Sequence, residues 1–239
     1  MINNATNSDG TSATVTPFNI LASVGASFIW CATARDRLSS SGDPNASSVR
    51  EHDAIYARGL KENLFLTSNT QDCWRWRRIC FTSKAEQFRG TGTIGTDPVA
   101  LETSNGWTRL LRNNAGTPFN NTVATLLFKG SVGIDWFTGF TAKVDTTRVT
   151  LMYDKTRILR SGNAAGVAIR SKHWYPMNKN LTYSNDETGE GESVSNFSTQ
   201  NNIGMGDYYV VDFFECVTSV SASAQLNFQT EATLYWHER

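Results

Sequence analysis

The chain has 239 residues, 39% of them hydrophobic and 18% charged, with 18 Gly and a formal net charge of zero. That balance suits one large all-β domain, because short strands joined by polar turns have this composition and sandwiches of this length often stay undivided. No run of about 18 apolar residues occurs, which excludes a membrane-spanning helix, and Met1 to Gly10 is too polar for a secretory signal.

The zero net charge hides an asymmetry. From Arg75 to Lys179 there are 16 Lys or Arg against 6 Asp or Glu, whereas from Asp186 to Glu238 there are 9 acids and no base. Such blocks suit a nucleic-acid face or complementary surfaces that pair between copies, and equally an ordinary mixed surface on which the blocks interleave.

Residues 1–16 are polar and aperiodic, so they are expected to form a mobile arm ahead of a domain over 17–239. Phe18, Ile20, Ala22, Val24, Ala26, Phe28 and Trp30 recur at every second position, which predicts one half-buried strand. Ser39 to Ser48 contains Gly42, Asp43 and Pro44 and reads as a loop. Asp53 to Leu66 reads as extended, and Trp74 to Phe81, short and rich in aromatic and β-branched residues, as a strand.

Phe88 to Asn121 carries five Gly and two Pro and reads as a long excursion between strands, with room for a short helix at Trp107 to Arg112. Its length is expected to be ordered by neighbouring copies of the chain. Thr141 to Tyr153 and Tyr208 to Val217 are two further strand runs. Gln225 to Trp236 alternates apolar Leu226, Phe228, Ala232, Leu234 and Trp236 with largely polar positions, so one face is core. Strands separated by long Gly-rich connections predict a single jelly-roll β-sandwich with long inter-strand loops.

Chemistry-bearing motifs are few. In Cys73 to Phe81, CWRWRRICF, strand periodicity puts Trp74, Trp76, Arg78 and Cys80 on one face and Arg75, Arg77, Ile79 and Phe81 on the other. Arg beside Trp suits single-stranded nucleic acid, because guanidinium pairs with phosphate and either group stacks on bases. The competing reading places the Trp rings in the core and the Arg heads in water or against acids.

A second basic stretch, Lys143, Arg148, Lys155, Arg157, Arg160, Arg170, Lys172 and Lys179, straddles a strand and the loop after it and could project from one sandwich edge. Cys31, Cys73, Cys80 and Cys216 show no CxxC spacing, the three His lack companions at ligand spacing, and no metal or cofactor is expected. Asp186, Glu187, Glu190 and Glu192 lack the spacing of a calcium loop and read as a solvated turn. No Gly-rich phosphate loop, GxSxG elbow or paired-carboxylate motif occurs, so an enzyme is not expected.

Five segments in order, CWRWRRICF from Cys73, AKVDTTRVTLMYDKTRIL from Ala142, HWYPMNKNLTY from His173, GMGDYYVVDFF from Gly204 and EATLYWHE from Glu231, resemble the coat proteins of genomoviruses. These are circular single-stranded DNA viruses related to geminiviruses. The resemblance runs from about Glu51 to the C-terminus. It implies a jelly roll that assembles with itself into a small T=1 icosahedral shell around a single-stranded DNA genome, found in the virion and the host nucleus. Carried over by position, it makes Arg75, Arg77, Arg78, Lys143, Lys155, Arg157 and Arg160 the DNA-binding candidates.

One departure stands out: such coat proteins usually begin with an Arg- and Lys-rich arm, whereas no base precedes Arg35. Either this is a natural short form or the arm lies upstream of Met1, and DNA affinity is expected from the sandwich surface. The alternative to a shell subunit is a carbohydrate-binding jelly roll that uses its 7 Trp and 7 Tyr as stacking platforms.

Overall fold

The structure is a computed structural model that describes residues 3–6, 13–14, 16–37, 49–90, 99–103, 106–218, 221 and 223–238. Its strands are β1 (Asn3–Thr6), β2 (Ala13–Thr14), β3 (Phe18–Leu21), β4 (Ala26–Cys31), β5 (Ala54–Ser68), β6 (Trp74–Ser83), β7 (Leu101–Thr103), β8 (Gly106–Leu111), β9 (Thr150–Leu159), β10 (Ala168–Thr188), β11 (Gly191–Ser198), β12 (Asp207–Cys216) and β13 (Gln225–Glu238). Among the described residues one α-helix, α1, spans Pro118–Leu127. Two sheets, β11-β10-β5-β13-β3 and β4-β12-β6-β9, face each other, and a small third sheet runs β2-β1-β8-β7. Without β11, the two main sheets have the strand order of a jelly roll, with the first and last strands, β3 and β13, paired side by side.

The alternation expected over Phe18 to Trp30 is present, but it serves two strands in different sheets. Gly25 makes the break: its φ is +68°, and a Cβ there would come within 2.6 Å of the Phe214 carbonyl oxygen. A side chain is excluded at this corner, where the chain crosses from one sheet to the other. The strand expected over Thr141 to Tyr153 begins only at Thr150, after turns at Thr141 and Asp145. Trp107 to Arg112 is mostly strand β8, and the helix lies further on, at α1. Thr117 caps α1 by accepting the Asn120 amide at 3.2 Å, Pro118 opens it, and Phe119, Val123 and Leu127 follow at i, i+4 and i+8 to form its buried stripe. Part of the expected arm is paired, since Asn3–Thr6 lies parallel to β8; the expected loop at 39–48 falls outside the described residues.

Strands β4, β6 and β12 of the four-stranded sheet are buried on both faces. The sheet's inner face packs on the five-stranded sheet through Phe28, Trp74, Trp76, Phe214 and Phe228 at one end, and through Trp30, Cys80, Tyr208, Val210 and Leu234 at the other. The outer face, with Ile79, Phe81, Tyr209 and Val211, is covered by Phe88, Trp107, α1 and Phe128. Much of the excursion that looked long enough to need neighbouring copies is therefore a third layer of this chain's own core.

Between the two inner clusters lies a charged network. Arg78 of β6 donates from Nε to Asp212 of β12 at 2.7 Å and from Nη1 to Glu62 of β5. Arg109 of β8 donates to Asp212 at 2.9 Å and to Glu62 at 3.3 Å. Trp76 Nε1 donates to Asp212 at 2.7 Å, and the Thr230 hydroxyl donates to Glu62. All four charged residues are at most 1% exposed. Burial opposes both ionised forms, yet the opposite charges win: the Asp212 carboxyl sits below its ordinary value and the Arg78 guanidinium well above its own.

Removing one member of such a network leaves a buried charge without its partner, at about 3–5 kcal/mol, out of a typical total stability of about 5–15 kcal/mol. Arg78→Met is expected to cost that much in urea unfolding, whereas Lys155→Gln on the exposed edge should stay within about 0.5 kcal/mol. Because the folded Asp212 pKa is depressed, its stabilising contribution is present above the unfolded value of about 3.9 and is lost as pH falls through the folded one. The wild-type urea midpoint should therefore drop below about pH 3.9; equal costs for the two variants, or a flat acid limb, would contradict this account.

Candidate nucleic-acid interface

The structure separates the seven sequence-derived candidates into three groups. Arg77 and Arg78 are internal. Arg77 is 5% exposed and chelates Asp154 at 2.9 and 2.7 Å while donating to the Gly139 and Ala142 carbonyls. Arg78 belongs to the buried network. Neither guanidinium can reach a phosphate in this fold, which corrects their expected role as surface contacts: the reading in which Trp74 and Trp76 fill the core and the Arg heads pair with acids is the one the structure holds.

Arg75 and Lys143 lie on the far side of the four-stranded sheet. Arg75 is half-buried, pairs with Glu215 on the neighbouring strand β12, and lies 4.7 Å over the Phe140 ring. Lys143 is exposed in the turns between α1 and β9, its carbonyl accepting the Lys129 amide at 2.9 Å.

Lys155 and Arg157 lie on β9, the edge strand of the four-stranded sheet, and Arg160 follows directly after its last residue. Lys155 stands opposite Arg78 and Arg157 opposite Trp76, so both share the face that looks toward the five-stranded sheet. That edge meets β10 along a seam, with aromatic rings packed beneath it. The Arg157 guanidinium lies 5.5 Å over the Trp76 ring; His173 meets Trp76 edge-on and stacks on Tyr175 at 5.7 Å; Tyr153 contacts Tyr175 at 5.1 Å.

Burial, together with Arg78 and Arg157, holds the His173 pKa below the usual imidazole value, so this ring enters the seam as a neutral group at pH 7. At one end of the seam, Lys84, Arg148 and Lys179 line a polar cavity of about 770 Å³ with Tyr56. At the other end, Arg160 borders a second cavity beside Asp72 and Thr218.

The seam thus presents Lys155 and Arg157 beside the half-buried Tyr153 and His173, while Trp76 and Tyr175 beneath them are closed to a ligand at 3% exposure. Such a surface can pair with phosphates through its cations without reading base identity. Tyr153 and His173 are parts of it that charge counting missed; their positions opposite Cys80 and Glu62, respectively, put them on the inner face.

Other groupings do less. The thiols of Cys31 and Cys80 are pushed up to about 12 by burial, and all four Cys are free. The donor atoms of Glu51, His52 and Glu238 converge within 4.8 Å. The Glu238 carboxylate is already engaged by the Glu51 and His52 amides and by Trp236 Nε1. No family model matches the chain, and no curated protein matches it.

An arginine-selective reagent read out by peptide mass spectrometry checks this partition. Arg157 and Arg160 are expected to be modified in the native protein, with Arg77 and Arg78 protected until it is unfolded. Native labelling of Arg78 at the rate of Arg160 would be incompatible with the buried network.

Proposed function

We propose that this chain is the coat-protein subunit of a small single-stranded DNA virus of the genomovirus kind. In this reading it is a non-enzymatic jelly roll that closes with copies of itself into a T=1 shell, resides in the virion and the host nucleus, and packages circular single-stranded DNA through sequence-independent contacts. The observation that carries the reading is the seam, where exposed Lys155 and Arg160 and half-buried Arg157 gather at one sandwich edge of a chain whose net charge is zero.

A rigid apolar loop supports the self-assembly half. Val132, Ile134 and Phe137 are 64%, 82% and 81% exposed, yet their loop is fixed by the Asp135 carboxylate accepting the Ser131 amide at 2.7 Å and by the Lys129 to Lys143 backbone bond. Apolar side chains held out in a fixed geometry suit burial against another surface. The carbohydrate-binding alternative requires neither this loop nor the basic seam.

Electron microscopy of the purified protein should show round particles of uniform size, and the double variant Ile134→Ser, Phe137→Ser should sediment as isolated subunits. A wild-type protein that remains monomeric at high concentration would overturn the shell reading. For dissociated subunits, replacing Lys155, Arg157 and Arg160 with Gln should lower the slope of log affinity for single-stranded DNA against log salt by up to roughly 2, at about 0.7 per phosphate contact. An unchanged slope would remove the seam from packaging.

A further inference from the structure

A second aromatic and basic site lies on the opposite side of the five-stranded sheet, on its outer face. Strand β5 runs between β10 and β13, and at its centre Gly59 lies opposite Tyr235, one residue beyond the Leu60 and Tyr175 pair. A Cβ at Gly59 would fall 2.6 Å from Trp174 Cζ2 and 2.6 Å from the Tyr175 carbonyl oxygen. Glycine is thus required for the Trp174 indole to lie across β5 and reach Tyr235, their ring centroids 5.8 Å apart. The two rings are 50% and 43% exposed, although they come from different strands and meet over a third. With Arg58, Lys61, Trp236 and His237 they line a groove of about 390 Å³.

The charge around this groove is predominantly positive. Lys61 stands directly opposite Trp174, and Arg58 is held at the groove by donating to Asn178 at 2.8 Å. Arg170 and Lys172, opposite Phe65 and Asn63, continue the same face. Across these three strands from Arg58 to Phe65, Glu231 is the one acid on that face against four bases. An apolar protein segment or a neutral sugar would use the rings and leave the bases idle; a nucleotide uses both, stacking its base and placing its phosphates on the cations.

We propose that the groove over Gly59 is a stacking subsite for single-stranded nucleic acid, in which a base lies against Trp174 and Tyr235 and the flanking phosphates against Arg58 and Lys61. This deepens the packaging reading and rests on it, but uses a surface separate from the β9 seam. The subsite accepts any base, because it offers ring faces and charge and not a fixed set of donors aimed at base edges. It gives the outer sheet a role that the sequence stretch containing Arg170, Lys172 and Trp174 did not reveal, since period two sends these residues to the face away from Tyr175.

The test is fluorescence anisotropy of dissociated subunits with a labelled oligothymidylate and with an abasic deoxyribose phosphate strand of equal length, each across a salt series. Trp174→Ala is expected to weaken oligothymidylate binding roughly five- to hundred-fold, with the salt slope and the abasic affinity unchanged. Arg58→Gln with Lys61→Gln should lower the slope for both strands by roughly 1.4. These side chains are exposed, so the urea midpoint of each variant should match wild type.

Oligothymidylate affinity that is independent of Trp174 and Tyr235 would overturn the subsite while leaving the packaging reading standing, provided the seam variant still weakens binding. Equal losses on both strands in Trp174→Ala would overturn stacking, as would Trp174-dependent retention of a neutral glucan in place of DNA. A wild-type subunit that binds neither strand would overturn the subsite and the packaging reading together.

Discussion

The buried square of Glu62, Arg78, Asp212 and Arg109 is the constraint to which the rest of the molecule conforms. Each acid meets both bases and each base both acids, so four charges are withdrawn from water with no net charge left over. The members come from β5, β6, β8 and β12, and Thr230 adds β13, so both sheets and the third sheet converge on one point. Along each strand the charged residue interrupts an apolar face: Trp76, Arg78, Cys80 on β6 and Phe214, Asp212, Val210 on β12. Strand side chains alternate with period two, so a slip of one residue between β6 and β12 would strand Asp212 without its cation. The network is an expensive way to fill an interior, and its return is a single register.

This constraint decides where nucleic acid cannot bind. The segment richest in Arg and Trp is committed to the inside on one face through Arg78 and to the covering layer on the other through Arg77 and Asp154. Among the cations left at the surface, one group stands on the edge strand β9 and another on the outer face of β5 and β10. Lys155 and Arg157 also suit an edge strand for a separate reason, because charged side chains there discourage another chain from pairing with its open backbone groups. A surface of exposed bases backed by rings fits both roles.

The strands with clear period two were legible in the sequence, as β6, β12 and β13 illustrate. Gln225 to Trp236 alternates because one of its faces is wet, and the structure extends it only to Glu238. Phe18 to Trp30 misled for the same reason: a corner at Gly25 preserves the alternation while moving the chain to the other sheet, and periodicity alone does not register a change of partner. Trp107 to Arg112 was open to a helix because its apolar residues are few and clustered; pairing with β1 and β7 decides for strand. The internal fate of Arg78 had a signal, namely Asp212 in the middle of VVDFF and Glu62 at an apolar-face position of β5. A lone acid on an apolar face demands a buried cation, and these two acids facing inward would have identified the network.

The charge blocks are the clearest case of a sequence pattern whose meaning depends on the fold. The basic middle of the chain contains β6 and the acidic end contains β12, and these strands are neighbours. Arg75 pairs with Glu215, Arg78 and Arg109 with Asp212, and Arg89 with Asp207. Much of the apparent asymmetry is therefore neutralised within one chain and is not evidence for a nucleic-acid face. What survives at the surface is smaller and more localised: the seam on β9, the outer groove over Gly59, and an acidic tip where Asp186, Glu187 and Glu190 are exposed at the β10 to β11 turn. In the proposed coat-protein reading, a shell of subunits with zero formal net charge would not balance a packaged genome by itself, and the remaining phosphate charge would fall to small cations. Affinity would then rest on local contacts, with the seam offering charge and the groove over Gly59 an exposed aromatic face that can hold a base whether or not the surrounding charge is screened.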